Sequence, residues 1–277
     1  MDFGPLRESM RGFFGGWLQT DTSNNLGLSV LVFFLFYGIA CAYWINRARG
    51  EHPMPKLRRI AGLDALDEAI GRATEMGRPV MYNVGMNSFS PTTMAALAVL
   101  SYASSRIARY DTRMITVMRY PEILPVAEST IRQAYMEAGK PDSFRAEDVR
   151  FLTTDQFGFA AGVVGIIHRE HVAANLMFGH YVAECLILAE AGFDVGAIQV
   201  AGTTNNVQTP FFIASCDYVL LAEEMYVASA YLSQDRVRTA TLIAQDYGKL
   251  FLVVLAVLGT LFTTFGSTMI SDLITLY

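Results

Sequence analysis

GRPVMYNVGMNSFSP, residues 77–91, compresses a helix stop, a buried strand, a polar loop and a helix start into fifteen positions. Upstream, Leu63, Leu66, Ile70 and Ala73 form a helical apolar stripe that ends at Gly77, ahead of Pro79. PVMYNV (79–84) is apolar without alternation, as a strand covered on both faces should be. Ser90 and Pro91 have the chemistry of an N-cap and a first helical residue, opening a helix to about Tyr110.

The same order recurs downstream. MITVM (114–118) reads as a strand, Pro121 opens a helix closed by Gly139 and Pro141, and VRFLTT (149–154) reads as the next strand. VGAIQVAG (195–202), a short helix from Thr209 and Pro210, and YVLLA (218–222) complete the series. Five strands separated by helices predict an α/β domain with a Rossmann-like, mostly parallel sheet flanked by helices.

Composition places this domain at a membrane. The chain has 277 residues, 52% hydrophobic and 17% charged, with a positive mean hydropathy. Two uncharged runs, residues 26–45 and 250–270, each reach the roughly 20 residues that a helix needs to cross a bilayer. One transmembrane helix is therefore expected at each end. The segments are 1–25, an extracytoplasmic segment with an aromatic FFGGW motif at the outer interface; 26–45; a cytoplasmic α/β domain, 46–249; 250–270; and a tail, 271–277.

Arg47, Arg49, Lys56, Arg58 and Arg59 follow the first run, and Arg236, Arg238 and Lys249 precede the second. Both flanks put the domain in the cytoplasm and both termini outside, two passes through the cytoplasmic (inner) membrane. EHPMPK (51–56) reads as the linker off the first span, and residues 223–247, free of glycine and proline, as one long stalk helix. Three cysteines give no disulfide framework. The net charge of −5 offers no clustered basic surface for nucleic acid.

In open parallel sheets ligands bind beyond the carboxyl ends of the strands. The loops read there are NVGMNSFS (83–90), TTDQF (153–157) and GTTNNVQT (202–209), and the candidate ligand-binding residues are Asn83, Asn87, Asp155, Thr203 and Asn205. They contain no Walker lysine, no dinucleotide glycine triplet, no G-x-S-x-G elbow and no C-x-x-C pair. No cofactor is implied, and catalytic residues stay unassigned. A pocket for a small neutral or anionic molecule is one reading, and helix capping with turn formation is the other.

HREHVAANLMFGHYVAE (168–184) holds three of the four histidines. On one straight helix His171 and His180 fall on opposite faces, and the spacing is not H-E-x-x-H, so no metal site is expected. His180 and Glu184 then form an i, i+4 pair on a largely apolar helix. Pairing of Asp155 with His180 as acid and base would require the fold to bring them together.

In the second apolar run Ala256, Gly259, Thr260, Thr263, Gly266 and Ser267 make one face of small residues. Such a face suits close helix contact in lipid, between copies or against Gly38 and Ala42 of the first run. Residues 57–80, 162–192 and 215–233 resemble an uncharacterised family of prokaryotic membrane-anchored proteins classed as a domain of unknown function. That resemblance implies no activity. The expectation is a membrane-anchored structural or ligand-sensing component of a homo-oligomeric or larger assembly, with the lipid bilayer, other copies and other membrane subunits as partners. A membrane-bound enzyme for a small polar substrate and an accessory subunit of a transporter or electron-transfer complex stay open as alternatives.

Overall fold

The computed structural model of the chain describes residues 27–50, 61–221, 224–228 and 236–264. The chain divides into two compact units, residues 57–234 and the two terminal segments together.

In the first unit the strands are β1 (Val80–Asn83), β2 (Met114–Met118), β3 (Val149–Phe151), β4 (Ala174–Phe178), β5 (Ile198–Thr203) and β6 (Tyr218–Leu221). They form one six-stranded sheet in the order β3-β2-β1-β4-β5-β6, parallel throughout. The helices are α2 (Ala61–Met76), α3 (Pro91–Tyr110), α4 (Leu124–Glu137), α5 (Gln156–Glu170), α6 (Cys185–Asp194) and α7 (Thr209–Ser215). Helix α1 (Gly27–Arg49) belongs to the other unit.

The sheet is covered on both faces, which is why its central strands carry no polar alternation. Leu66 and Ile70 of α2, Leu100 and Ile107 of α3, and Ile131 of α4 pack on Val80, Tyr82, Leu176 and Val200. On the other face Phe159, Val163 and Ile167 of α5, Leu188 of α6 and Phe212 of α7 pack on Met81, Ile115, Val117 and Met177. Tyr82 stacks on Phe178 with ring centroids 5.8 Å apart, and its hydroxyl donates to the Ala96 carbonyl at 2.6 Å. The polar end of the ring is thus satisfied inside the core.

Local chemistry starts and stops these helices. The Ser90 hydroxyl accepts the Thr93 N–H at 3.1 Å, with Pro91 in the first turn. The C-caps Asp111 and His171 take the left-handed conformation, with φ of 59° and 48°.

One expectation is corrected here. The histidine-bearing segment is not a helix: α5 ends at Glu170, His171 turns the chain, and β4 runs through the centre of the segment. ANLMF is wholly buried between β1 and β5, so its apolar character serves a central strand. His180 lies in the loop beyond it and Glu184 at the N-cap of α6, which dissolves the expected i, i+4 pair. The sheet therefore has six strands where five were expected.

In the second unit α1 packs along α8 (Arg236–Thr264). Phe36 meets Phe251 at 4.8 Å between ring centroids and Trp44 stacks on Tyr247 at 5.5 Å. A Cβ at Gly248 would lie 3.3 Å from the Tyr37 ring. Among the described residues one segment, Thr239–Leu261, is long and apolar enough to cross a membrane, and only 17% of its most apolar window is buried. It begins eleven residues before the run expected at 250–270. The linker at 51–56, part of the stalk (229–235) and the terminal segments fall outside the described residues.

Candidate functional site

The strand order reverses between β1 and β4: from β1 the chain moves to β2 and β3, and from β4 to β5 and β6. At such a switch point the loops usually part and leave a crevice for a ligand. Here they close on each other.

β1 leads into Gly85 (φ 87°) and β4 into Gly179 (φ 143°). A Cβ on Gly85 would stand 2.9 Å from the Gly179 Cα, and one on Gly179 would collide with the Val84 carbonyl oxygen. Glycine is required at both positions by conformation and by space. The first loop also spends its N–H groups internally: Gly85 N–H donates to Asn83 Oδ1 at 2.9 Å, and Met86 N–H to the His180 carbonyl at 2.8 Å. Those are donors that a phosphate-binding first loop would turn towards its ligand.

Tyr181 joins three strand ends. Its hydroxyl donates to the Asn83 carbonyl at 3.1 Å, its own carbonyl accepts from Asn205 Nδ2 at 2.9 Å, and its ring meets Phe212 edge-on at 5.2 Å. Burial, reinforced by the nearby Tyr82 and Glu184, pushes its hydroxyl pKa well above the ordinary value. It is held as a neutral hydrogen-bond donor.

The five loop residues therefore separate. Asn83 and Asn205 are brought together through Tyr181. Thr203 is buried beside them, its hydroxyl accepting the Asn205 N–H at 3.2 Å, while Asn205 Oδ1 accepts the Val207 N–H at 3.1 Å. Asp155 is elsewhere: it is the N-cap of α5, its carboxylate accepting the Gly158 N–H at 2.6 Å. Asn87 lies half-buried in the first loop. Capping and turn formation account for Asp155, Thr203 and Asn205 Oδ1.

Two further ionisable groups stand at this edge: Glu184, expected as the helical partner of His180, follows the unexpected strand β4, and Arg119 follows β2. Glu184 is fully buried, its carboxylate accepting from Gln156 Nε2 at 2.6 Å and from the Val182 N–H at 2.7 Å. Arg119 follows β2 and donates from Nε to the Thr154 carbonyl at 2.8 Å and from Nη1 to the Met86 carbonyl at 3.3 Å. The signal available was a glutamate within the otherwise apolar YVAECLIL (181–188). At this edge the buried Asn83 Nδ2 has no hydrogen-bond partner among the described residues. No group of three or more His, Cys, Asp or Glu among the described residues is placed to hold a metal ion.

Of the expected small-residue face on α8, Gly259 is half-buried, whereas Ala256 and Thr260 are exposed and the Thr260 hydroxyl bonds back to the Ala256 carbonyl at 2.8 Å. Thr263 lies in the same helix, and Gly266 and Ser267 fall outside the described residues. Gly38 has nothing within 4 Å of a Cβ position and Ala42 is exposed, so that notch is not what α8 packs against.

Fold and site together define a doubly wound parallel α/β protein whose switch-point crevice is filled by its own loops. The chain belongs to the family described as a domain of unknown function, DUF6754, whose model matches residues 19–274. No curated protein and no solved structure matches it.

Proposed function

We propose that this chain is a membrane-anchored structural component of a homo-oligomeric or larger assembly, crossing the cytoplasmic membrane twice with its α/β domain inside and both termini outside. The observation that carries the reading is the closed switch point: Gly85 against Gly179, with the Met86 N–H on the His180 carbonyl, occupies the place where a doubly wound sheet would receive a ligand. An element that fills its own crevice and spends the Gly85 and Met86 N–H groups internally is suited to rigidity rather than turnover.

The membrane half of the proposal is supported by the exposed apolar length of Thr239–Leu261, because an apolar helix left uncovered in water is costly. Helix α1 would be the first crossing, with Arg47 and Arg49 in its last turn on the cytoplasmic side. Protease applied to sealed inside-out vesicles tests the topology, with cleavage of the α/β domain expected. Mass photometry of the gently extracted chain, with and without Thr260→Leu, tests assembly. A discrete homo-oligomer is expected, and a monomer or a single copy bound to other subunits overturns self-assembly.

One observation favours a small-ligand reading of the same edge. The unpartnered Asn83 Nδ2 and the buried Glu184 carboxylate are polar groups of the kind that a sensor or a membrane-bound enzyme uses. Density beside Asn83 in a map of the natively extracted protein would favour it.

A further inference from the structure

Helices α5 and α6 lie side by side on one face of the sheet, and both return antiparallel to the strands, so they run parallel to each other. Their outward faces are opposite in relief. On α6 Leu186, Ile187 and Phe193 stand 45%, 40% and 77% exposed. On α5 the exposed positions between Phe157 and His168 are Gly158, Ala161 and Gly165, and nothing lies within 4 Å of where a Gly165 Cβ would be. A glycine inside a helix weakens it relative to alanine, and no packing within the described chain asks for this one.

We propose that α5 and α6 form a homodimer interface, the α6 ridge of each copy seating in the α5 groove of the other. The proposal rests on the reading of the chain as a self-assembling component, but it places a contact outside the membrane helices. A two-fold axis parallel to the helices and passing between them sets each α5 on the other copy's α6 and closes the contact in one step. The same axis preserves helix direction, so the last turns meet: the exposed His168 and Arg169 of one copy come opposite the exposed Glu190 and Asp194 of the other. A contact of α6 with itself would instead oppose the acidic groups.

The size fits. Phe157, Val182, Leu186, Ile187 and Phe193, all at least 40% exposed, offer on the order of 500 Å² of apolar surface. A standard interface buries about 800 Å² per partner, about two-thirds of it apolar between identical chains. An anionic lipid surface is the poorer occupant, since Glu190 and Asp194 border the ridge.

The test co-expresses two differently tagged full-length chains, one Gly165→Cys and the other Ile187→Cys, and treats the native membrane with a short bis-maleimide. Each variant expressed with both tags sets the background, which includes Cys41, Cys185 and Cys216. A mixed-tag product several-fold above both backgrounds, abolished by adding Leu186→Glu and Phe193→Glu, is expected. It stands whatever Thr260→Leu does to the oligomer. A mixed-tag yield no higher than background overturns the interface. If mass photometry then still finds an oligomer, the self-assembly reading survives without this surface, and a monomer ends both.

Discussion

Gly85 and Gly179 touch backbone to backbone at the point where the strand order reverses, and neither position has room for a methyl group. The cost of violating this contact falls on fixed atoms, because the collision at Gly179 is with a main-chain carbonyl rather than with a side chain that could turn away. Gly179→Ala also forces a φ of 143° on an L-residue. The substitution should cost about 3 kcal/mol or more, the range of a strained backbone added to a core clash. Urea unfolding of the full chain in detergent reads it as a lowered midpoint. A change within about 0.5 kcal/mol, the scatter of ordinary surface substitutions, would mean that the two loops part in solution.

The parallel sheet was legible because its punctuation is local. Gly77 with Pro79, Ser90 with Pro91, and Thr209 with Pro210 each mark an element boundary within a residue or two of where it falls. β4 was hidden for a physical reason: a fully buried strand has no alternation, and ANLMF between ionisable residues fits a helical window as well as an extended one. Its turn residues are His171, an unusual left-handed cap, and Gly179, only one of which is a typical breaker. The site was harder still. Asp155 acts as a cap, one of the two roles its loop composition allows, while Tyr181 and Glu184 gain their roles from contacts 98 and 28 residues away in sequence.

The Glu184 carboxylate organises the entry to α6 through the Val182 N–H and ties it to α5 through Gln156. Both donors lose a charged acceptor in Glu184→Ala, and the side chain leaves a hole in a buried place. A loss of about 2–4 kcal/mol is expected, combining charge-assisted hydrogen bonds with a small cavity. Glu184→Gln should cost less, because it keeps the volume and one acceptor oxygen. Equal losses for the two variants, measured by the same unfolding midpoint, would show that the carboxylate charge itself is needed and point to a charged ligand or proton at this position.

Alkaline pH should weaken the α/β domain. Burial pushes the Cys216 thiol up to about 12 and raises the Tyr82 and Tyr181 hydroxyls well above their ordinary value. A group whose folded pKa is raised binds its proton more tightly in the native state. Its stabilisation is complete below the unfolded value, near 9 for the thiol and 10 for the phenols, and is lost as pH rises towards the folded one. The unfolding midpoint should hold level up to about pH 9 and then fall progressively towards 12. Cys216→Ala should flatten the first part of that decline. An unchanged profile in the variant would remove the thiol from the account.

At the opposite edge of the sheet Arg113 sits between two carboxylates, with Nη2 and Nε 2.6 and 2.9 Å from Asp148 and Nη1 2.8 Å from Glu170. The Asp148 carboxylate is 4% exposed and also accepts from Arg150 at 3.2 Å. Arg113 and Asp148 line a cavity of about 300 Å³ with Tyr135, Ser143 and Arg145. The pair is bidentate and one partner is out of water, so removing the guanidinium leaves the buried carboxylate with only the longer Arg150 contact. Arg113→Ala should cost about 3–5 kcal/mol, and Asp148→Ala nearly as much by leaving the arginine without its main acceptor. The double variant should lose clearly less than the two single losses added together, because what is expensive is one charge without the other. Strict additivity in that cycle would mean that water in the cavity already screens the pair, and that the edge is held by the packing of Phe144 on Tyr135 instead.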